Sequence, residues 1–78
     1  MDIIAADNYV DYADKLAVKL QKAILTLPPK QQLAFNLRYY DELAFDEIAK
    51  IADTTATSIR TSYHIAKEKI IKYMNSND

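Results

Sequence analysis

Between Phe45 and Lys67 the chain reads FDEIAKIADTTATSIRTSYHIAK, two helical patterns with only three or four turn-like residues between them. This is the outline of a helix-turn-helix, and it limits the rest of the chain to elements that can brace such a pair. The second pattern is the clearer one. Ile59, Tyr63, Ala66, Ile70 and Tyr73 recur at spacings of four, three, four and three, one stripe of a helix. At about 100° per residue, Thr57, Arg60, Thr61, His64 and Lys67 fall on the opposite side. One face can pack while the other offers donors to base edges and phosphates, as a recognition helix does in a major groove.

With 78 residues, half of them apolar, the chain makes one small domain, expected to have an ordered core from about residue 8 to residue 74. There is no cysteine, so no disulfide framework and no cysteine-based zinc site. There is also no glycine, and phosphate-cradling loops and nucleophile elbows depend on glycine for positive φ and close backbone approach. A single histidine cannot make the usual multi-histidine metal site. These gaps argue against an enzyme, and no cofactor is expected. No apolar run approaches a membrane span, and the N-terminal Met-Asp-Ile-Ile lacks the basic start of a signal peptide, so a soluble, unprocessed chain with no membrane partner is expected. The net charge of −1 runs against general attraction to nucleic acid. Its distribution is uneven, with four basic and three acidic residues from Asp53 onward against six and eight before it.

The remaining segments supply the brace. Asp7 or Asn8 is a candidate N-cap, after which Tyr9, Ala13, Leu16, Leu20, Ala23 and Leu27 step by fours and threes, predicting a first helix from about Asn8 to Thr26. Its early acids and later lysines suit the helix dipole. Leu27-Pro28-Pro29 ends it, and Pro29 can open a second helix where its missing N–H does no harm. Leu33, Leu37 and Tyr40 form the stripe expected of this second helix, with Phe35 offset, and its aromatics read as core and rim rather than a stacking platform for bases.

Ala44 stands where an N-cap would help a third helix, Phe45 to Ala52, and Glu47 supplies only half of a capping box. Asp41, Glu42, Asp46 and Glu47 read as a solvated helix start rather than a metal or acid-base site. Asp53-Thr54 makes the turn, Thr55 caps a fourth helix by accepting from an N–H near Thr57 or Ser58, and that helix runs to about Met74. Met1 to Ala6, apart from Ile3 and Ile4, and Asn75 to Asp78 read as frayed ends. The expected fold is all-α: a compact four-helix domain with a helix-turn-helix, winged-helix-like but without a wing.

Leu27-Pro28-Pro29-Lys30-Gln31-Gln32, Leu37-Arg38-Tyr39-Tyr40, Asp46-Glu47-Ile48-Ala49 and Ser62-Tyr63-His64 with Ala66, in that order, resemble region 4 of bacterial sigma factors of the extracytoplasmic-function group. The resemblance covers about Leu16 to Tyr73. It implies a bacterial, cytoplasmic transcription-initiation module that recognises the promoter minus-35 element in double-stranded DNA and docks on the β-subunit flap of core RNA polymerase. An anti-sigma factor is a further partner of such domains. Carried over by position, Arg60 occupies the basic contact site, with Thr57, Ser58, Thr61 and His64 along the same helix; Thr55 and Lys67 complete the candidate DNA-binding residues. Arginine also suits a bidentate contact with guanine on chemistry alone, and hydroxyls suit phosphates or mixed base edges.

The chain departs from the family pattern at Asp53, where glycine is usual, at Ala44 in place of a capping serine, at Ile65 in place of histidine or arginine, and at the outward Glu68. A full sigma cycle also needs an N-terminal domain that these residues do not supply, so the chain is read as an excised domain or a stand-alone regulator. Two other functions fit the same pattern. One is a protein-interaction helix-turn-helix without DNA contact, which the acidic balance favours. The other is a free-standing dimeric regulator, which requires two half-sites about one helical turn apart.

Overall fold

A computed structural model of the chain describes residues 2–76, with side chains described from Tyr12 onward. Four α-helices follow one another: α1 (Asp2–Leu25), α2 (Pro29–Tyr39), α3 (Phe45–Ala52) and α4 (Ala56–Met74). The expected all-α architecture is the one observed. α4 is the central element, packed by α2 most extensively and also by α3 and α1.

The boundaries of α2, α3 and α4 follow local chemistry. Pro29 opens α2 as expected, and the N–H of Gln32 donates to the Pro28 carbonyl at 2.9 Å. The Gln32 side-chain amide bonds the Leu27 carbonyl at 3.0 Å, pinning the α1–α2 corner. Ala44 has no side-chain acceptor, so only the reciprocal half of a capping box forms, with its backbone N–H donating to Glu47 Oε1 at 2.9 Å. Thr55 caps α4 by accepting from the Ser58 N–H at 3.1 Å, the bond its position predicted.

The first helix differs from its expected span. It begins at Asp2, upstream of both Asp7 and Asn8, so neither residue is its cap. No glycine or proline interrupts the chain before Pro28, and Ala5 and Ala6 favour helix. A cap-type side chain is a weak stop where nothing else breaks the helix. The expectation of fraying at Met1, Asn77 and Asp78 lies outside the described residues, and the side chain of Tyr9 also lies outside them.

The core has two clusters. Ala23, Ile24 and Leu27 of the first helix region meet Phe35, Ala66 and Ile70, with Leu20, Tyr63, Tyr73 and Met74 at the edge. Ala34, Ile48, Ala49 and Ile59 form the second, edged by Leu37, Leu43, Phe45 and again Tyr63. Tyr63 therefore joins both. The stripe expected for α2 is rotated: Ala34 and Phe35 are buried, Leu33 and Leu37 only half-buried, and Tyr40 is 47% exposed. The cause is that α2 lies against α4, where Phe35 stacks on Tyr63 with ring centroids 5.9 Å apart. Among the described residues no helix is long and apolar enough to cross a membrane.

Candidate nucleic-acid interface

The turn between α3 and α4 sets the angle at which α4 leaves the domain. Asp53 ends α3 in the left-handed conformation, φ 55° and ψ 52°, at the position where glycine was the family's usual residue. The Thr54 N–H then reaches back to the Ala49 carbonyl at 2.9 Å, closing a Schellman-type turn over the last carbonyls of α3. Thr55 starts α4 directly. The two helices are thus joined by Asp53, Thr54 and Thr55 alone, and the hydrogen bonds fix the chain on both sides of the joint.

Ile59, Ala66 and Ile70 bury one side of α4, while Thr57, Arg60, Thr61, His64 and Lys67 are all exposed. The helix phase expected from the spacing is the one that packing selects. These five side chains share one outward face with no acidic residue between Ala56 and Lys67. The other two predicted site residues stand apart from them. Thr55 sits at the helix start, where its oxygen is already accepting the capping bond and its hydroxyl proton is left to donate. Ser58 is half-buried and lines a cleft of about 200 Å³ with Lys30, Leu33, Thr54 and Ser62, so it faces the α2–α3 side rather than the outward face.

The fold brings a further pair of residues to this face. Phe45, first in α3, lies 5.2 Å from the Arg60 guanidinium carbon, measured to the ring centroid. Arg38, in the last turn of α2, places its guanidinium carbon 5.1 Å from the same centroid. Both distances are within cation–π range. Arg38 also donates from Nη1 to the Leu43 carbonyl at 3.2 Å, which holds the α2–α3 connection against the end of α2. The ring of Phe45 rests in turn on Tyr63, 5.7 Å away and tilted by 58°. Sequence periodicity could not group Arg38, Phe45 and Arg60, because they stand on three different helices. The available signal was an aromatic at the first position of α3 following closely on a helix with arginine in its last turn.

The acidic residues of the α2–α3 connection, Asp41, Glu42, Asp46 and Glu47, are exposed. Glu47 is engaged by the Ala44 N–H, and Glu42 takes a positive φ of 55° in the connection. Among the described residues no group of three or more His, Cys, Asp or Glu side chains is placed to hold a metal ion. The geometry offers a rigid helix start, a cation-bearing face and hydroxyl donors beside it.

Comparison of the chain with known proteins agrees with this arrangement at the level of the whole domain. The family model described as Sigma-70, region 4 matches residues 17–70, which spans the last nine residues of α1, all of α2 and α3, and most of α4. Comparison with curated proteins and with solved structures gave no match.

Proposed function

Because the chain belongs to the sigma-70 region 4 family, DNA-binding modules of transcription initiation, we propose that it recognises a promoter minus-35 element through α4 while docked on the β flap of core RNA polymerase. The observation that carries this reading is the α4 face of Thr57, Arg60, Thr61, His64 and Lys67, exposed opposite a buried apolar stripe. Laid in a major groove, such a helix reads bases with the residues of its first turns. Arg60 is assigned to a base edge, by the two-pronged fit of guanidinium to guanine. Thr57, Thr61, His64 and Lys67 are assigned to phosphates and mixed base edges, and Thr55 and Ser58 to the backbone at the helix start.

The net charge of −1 disfavours strong independent DNA binding, which this reading does not require. Docking on polymerase converts the DNA contact into an effectively intramolecular one, so a weak isolated affinity suffices. The same reading places the domain with the extracytoplasmic-function group, in the bacterial cytoplasm, and admits an anti-sigma factor as a competitor for its surfaces. The unit that acts is proposed to be the whole chain as one domain, with its ordered core at about residues 8–74.

The test is an amide chemical-shift titration of the chain with promoter-like duplex DNA at low and moderate salt. Shifts at residues 55–67 that fade as salt rises are expected, because counterions are released when cations meet phosphates. Arg60→Ala is expected to cost about 1 to 3 kcal/mol of sequence discrimination. The acidic balance favours the competing reading, a protein-interaction helix-turn-helix. That reading takes over if no shifts occur even at low salt and the same residues respond to the polymerase flap instead. A salt-dependent complex of two chains on paired half-sites would point to the dimeric regulator.

A further inference from the structure

We propose that Phe45 is a positioning residue, whose ring holds the Arg60 guanidinium in its reading orientation before DNA arrives and gathers Arg38 beside it. The proposal rests on the reading of α4 as the DNA-reading helix. Arg60 is exposed, and an arginine on a bare helix face samples many rotamers, whose freedom is lost when it bonds a base. A ring face 5.2 Å from its guanidinium carbon narrows that sampling in the free protein. A cation–π contact uses none of the guanidinium N–H donors, which stay free to meet a planar acceptor pair.

Phe45 can do this because it is itself held. It is half-buried at the start of α3, packed at the edge of the Ala34–Ile48–Ile59 cluster and tilted onto Tyr63 at 5.7 Å. The backbone that delivers it is bonded on both sides: the Leu43 N–H donates to the Leu37 carbonyl at 3.1 Å, and the Ala44 N–H to Glu47 at 2.9 Å. Arg38 reaches the same ring while its Nη1 bonds the Leu43 carbonyl, so the second guanidinium is tethered at two points. Two guanidiniums at one ring concentrate positive potential at a single place in a chain whose net charge is −1.

The experiment uses the whole chain and compares the wild type with Phe45→Leu, Phe45→Tyr and Arg60→Ala. In the wild type without DNA, the side-chain δ protons of Arg60 are expected upfield of their ordinary position through the ring current of Phe45. That shift is expected to vanish in Phe45→Leu, which keeps an apolar side chain in the packed site but removes the ring, and to persist in Phe45→Tyr. Discrimination between a preferred duplex and a single-base variant is expected to fall about fivefold in Phe45→Leu and to stay within about twofold of wild type in Phe45→Tyr. No ring-current shift in the wild type overturns the proposal without any variant having to fold. A normal ring-current shift with unchanged discrimination in Phe45→Leu, while Arg60→Ala loses discrimination, overturns it and leaves Arg60 as the base reader. Unchanged discrimination in Arg60→Ala overturns the DNA reading of Arg60 itself, and with it any role for Phe45 in that reading.

Discussion

α1 and α4 are the two long helices, and each carries an apolar stripe at steps of three and four. Their fates differ. Along α4 the stripe is covered from end to end, with Ile59, Ala66 and Ile70 buried and Tyr63 and Tyr73 half-buried. Among the described side chains of α1, the same kind of stripe is buried only at its far end, at Ala23, and on into Leu27 beyond the helix, while Leu16 remains 44% exposed. Periodicity says which residues share a face, and burial then depends on whether another element is present along that length. α4 has three helices around it, whereas α1 meets its neighbours mainly through its last turns, where Lys19 Nζ bonds the Ser76 carbonyl at 2.8 Å and Gln21 reaches the Tyr40 hydroxyl at 3.2 Å.

If this contrast is correct, equal truncations must have unequal costs. Ile48 is fully buried where α3 packs on α4 and α2, and Ile48→Ala is expected to destabilise the chain by about 3 kcal/mol in urea unfolding. Leu16→Ala, on the uncovered part of α1, is expected to cost less than about 0.5 kcal/mol. Similar losses in the two variants would break the comparison, because they would mean that Leu16 is covered in solution.

The helix starts sharpen it at smaller scale. Thr55→Ala removes the side-chain N-cap of α4 and is expected to lower stability by about 1 kcal/mol. The converse change, Ala44→Ser, completes the capping box of α3 and is expected to raise stability by somewhat less than about 1 kcal/mol. Both are read from the shift in the unfolding midpoint, and a null result in the first would mean that α4 is held by its packing alone. A smaller gain is expected at the turn: Asp53→Gly relieves the left-handed strain at φ 55° but adds freedom to the unfolded chain, for a net gain of about 0.5 kcal/mol. A loss there would show that the Asp53 side chain contributes a contact of its own.

Much of the architecture was legible locally because proline, capping hydroxyls and apolar spacing act over one or two turns. Pro29, Thr55 and the Phe45–Ala52 span stand where these signals put them. The same reasoning misplaced the start of α1, since Asp7 and Asn8 favour caps without forbidding helix, and nothing after them forces a boundary. It also chose Leu33, Leu37 and Tyr40 as the inner face of α2, where Ala34 and Phe35 are buried instead. An 11-residue helix offers too few turns for spacing to settle its rotation, and the ring of Tyr63 settles it by stacking on Phe35.

The outward face of α4 was legible for a related reason. Once Ile59, Ala66 and Ile70 face inward, helix geometry leaves Thr57, Arg60, Thr61, His64 and Lys67 no direction but outward. Ser58 shows the limit of that argument, because its place in the α2–α3 cleft depends on where α2 lies.

By itself the sequence determined the four helices, the tight joint at Asp53–Thr55, the polarity of α4 and the family, all of which rest on interactions within a few residues or on motifs in linear order. Only the tertiary structure decided the rotation of α2, the uncovered stretch of α1 and the meeting of Arg38, Phe45 and Arg60. Those depend on the distances between helices far apart in the chain, which packing around Tyr63 sets and no local pattern encodes.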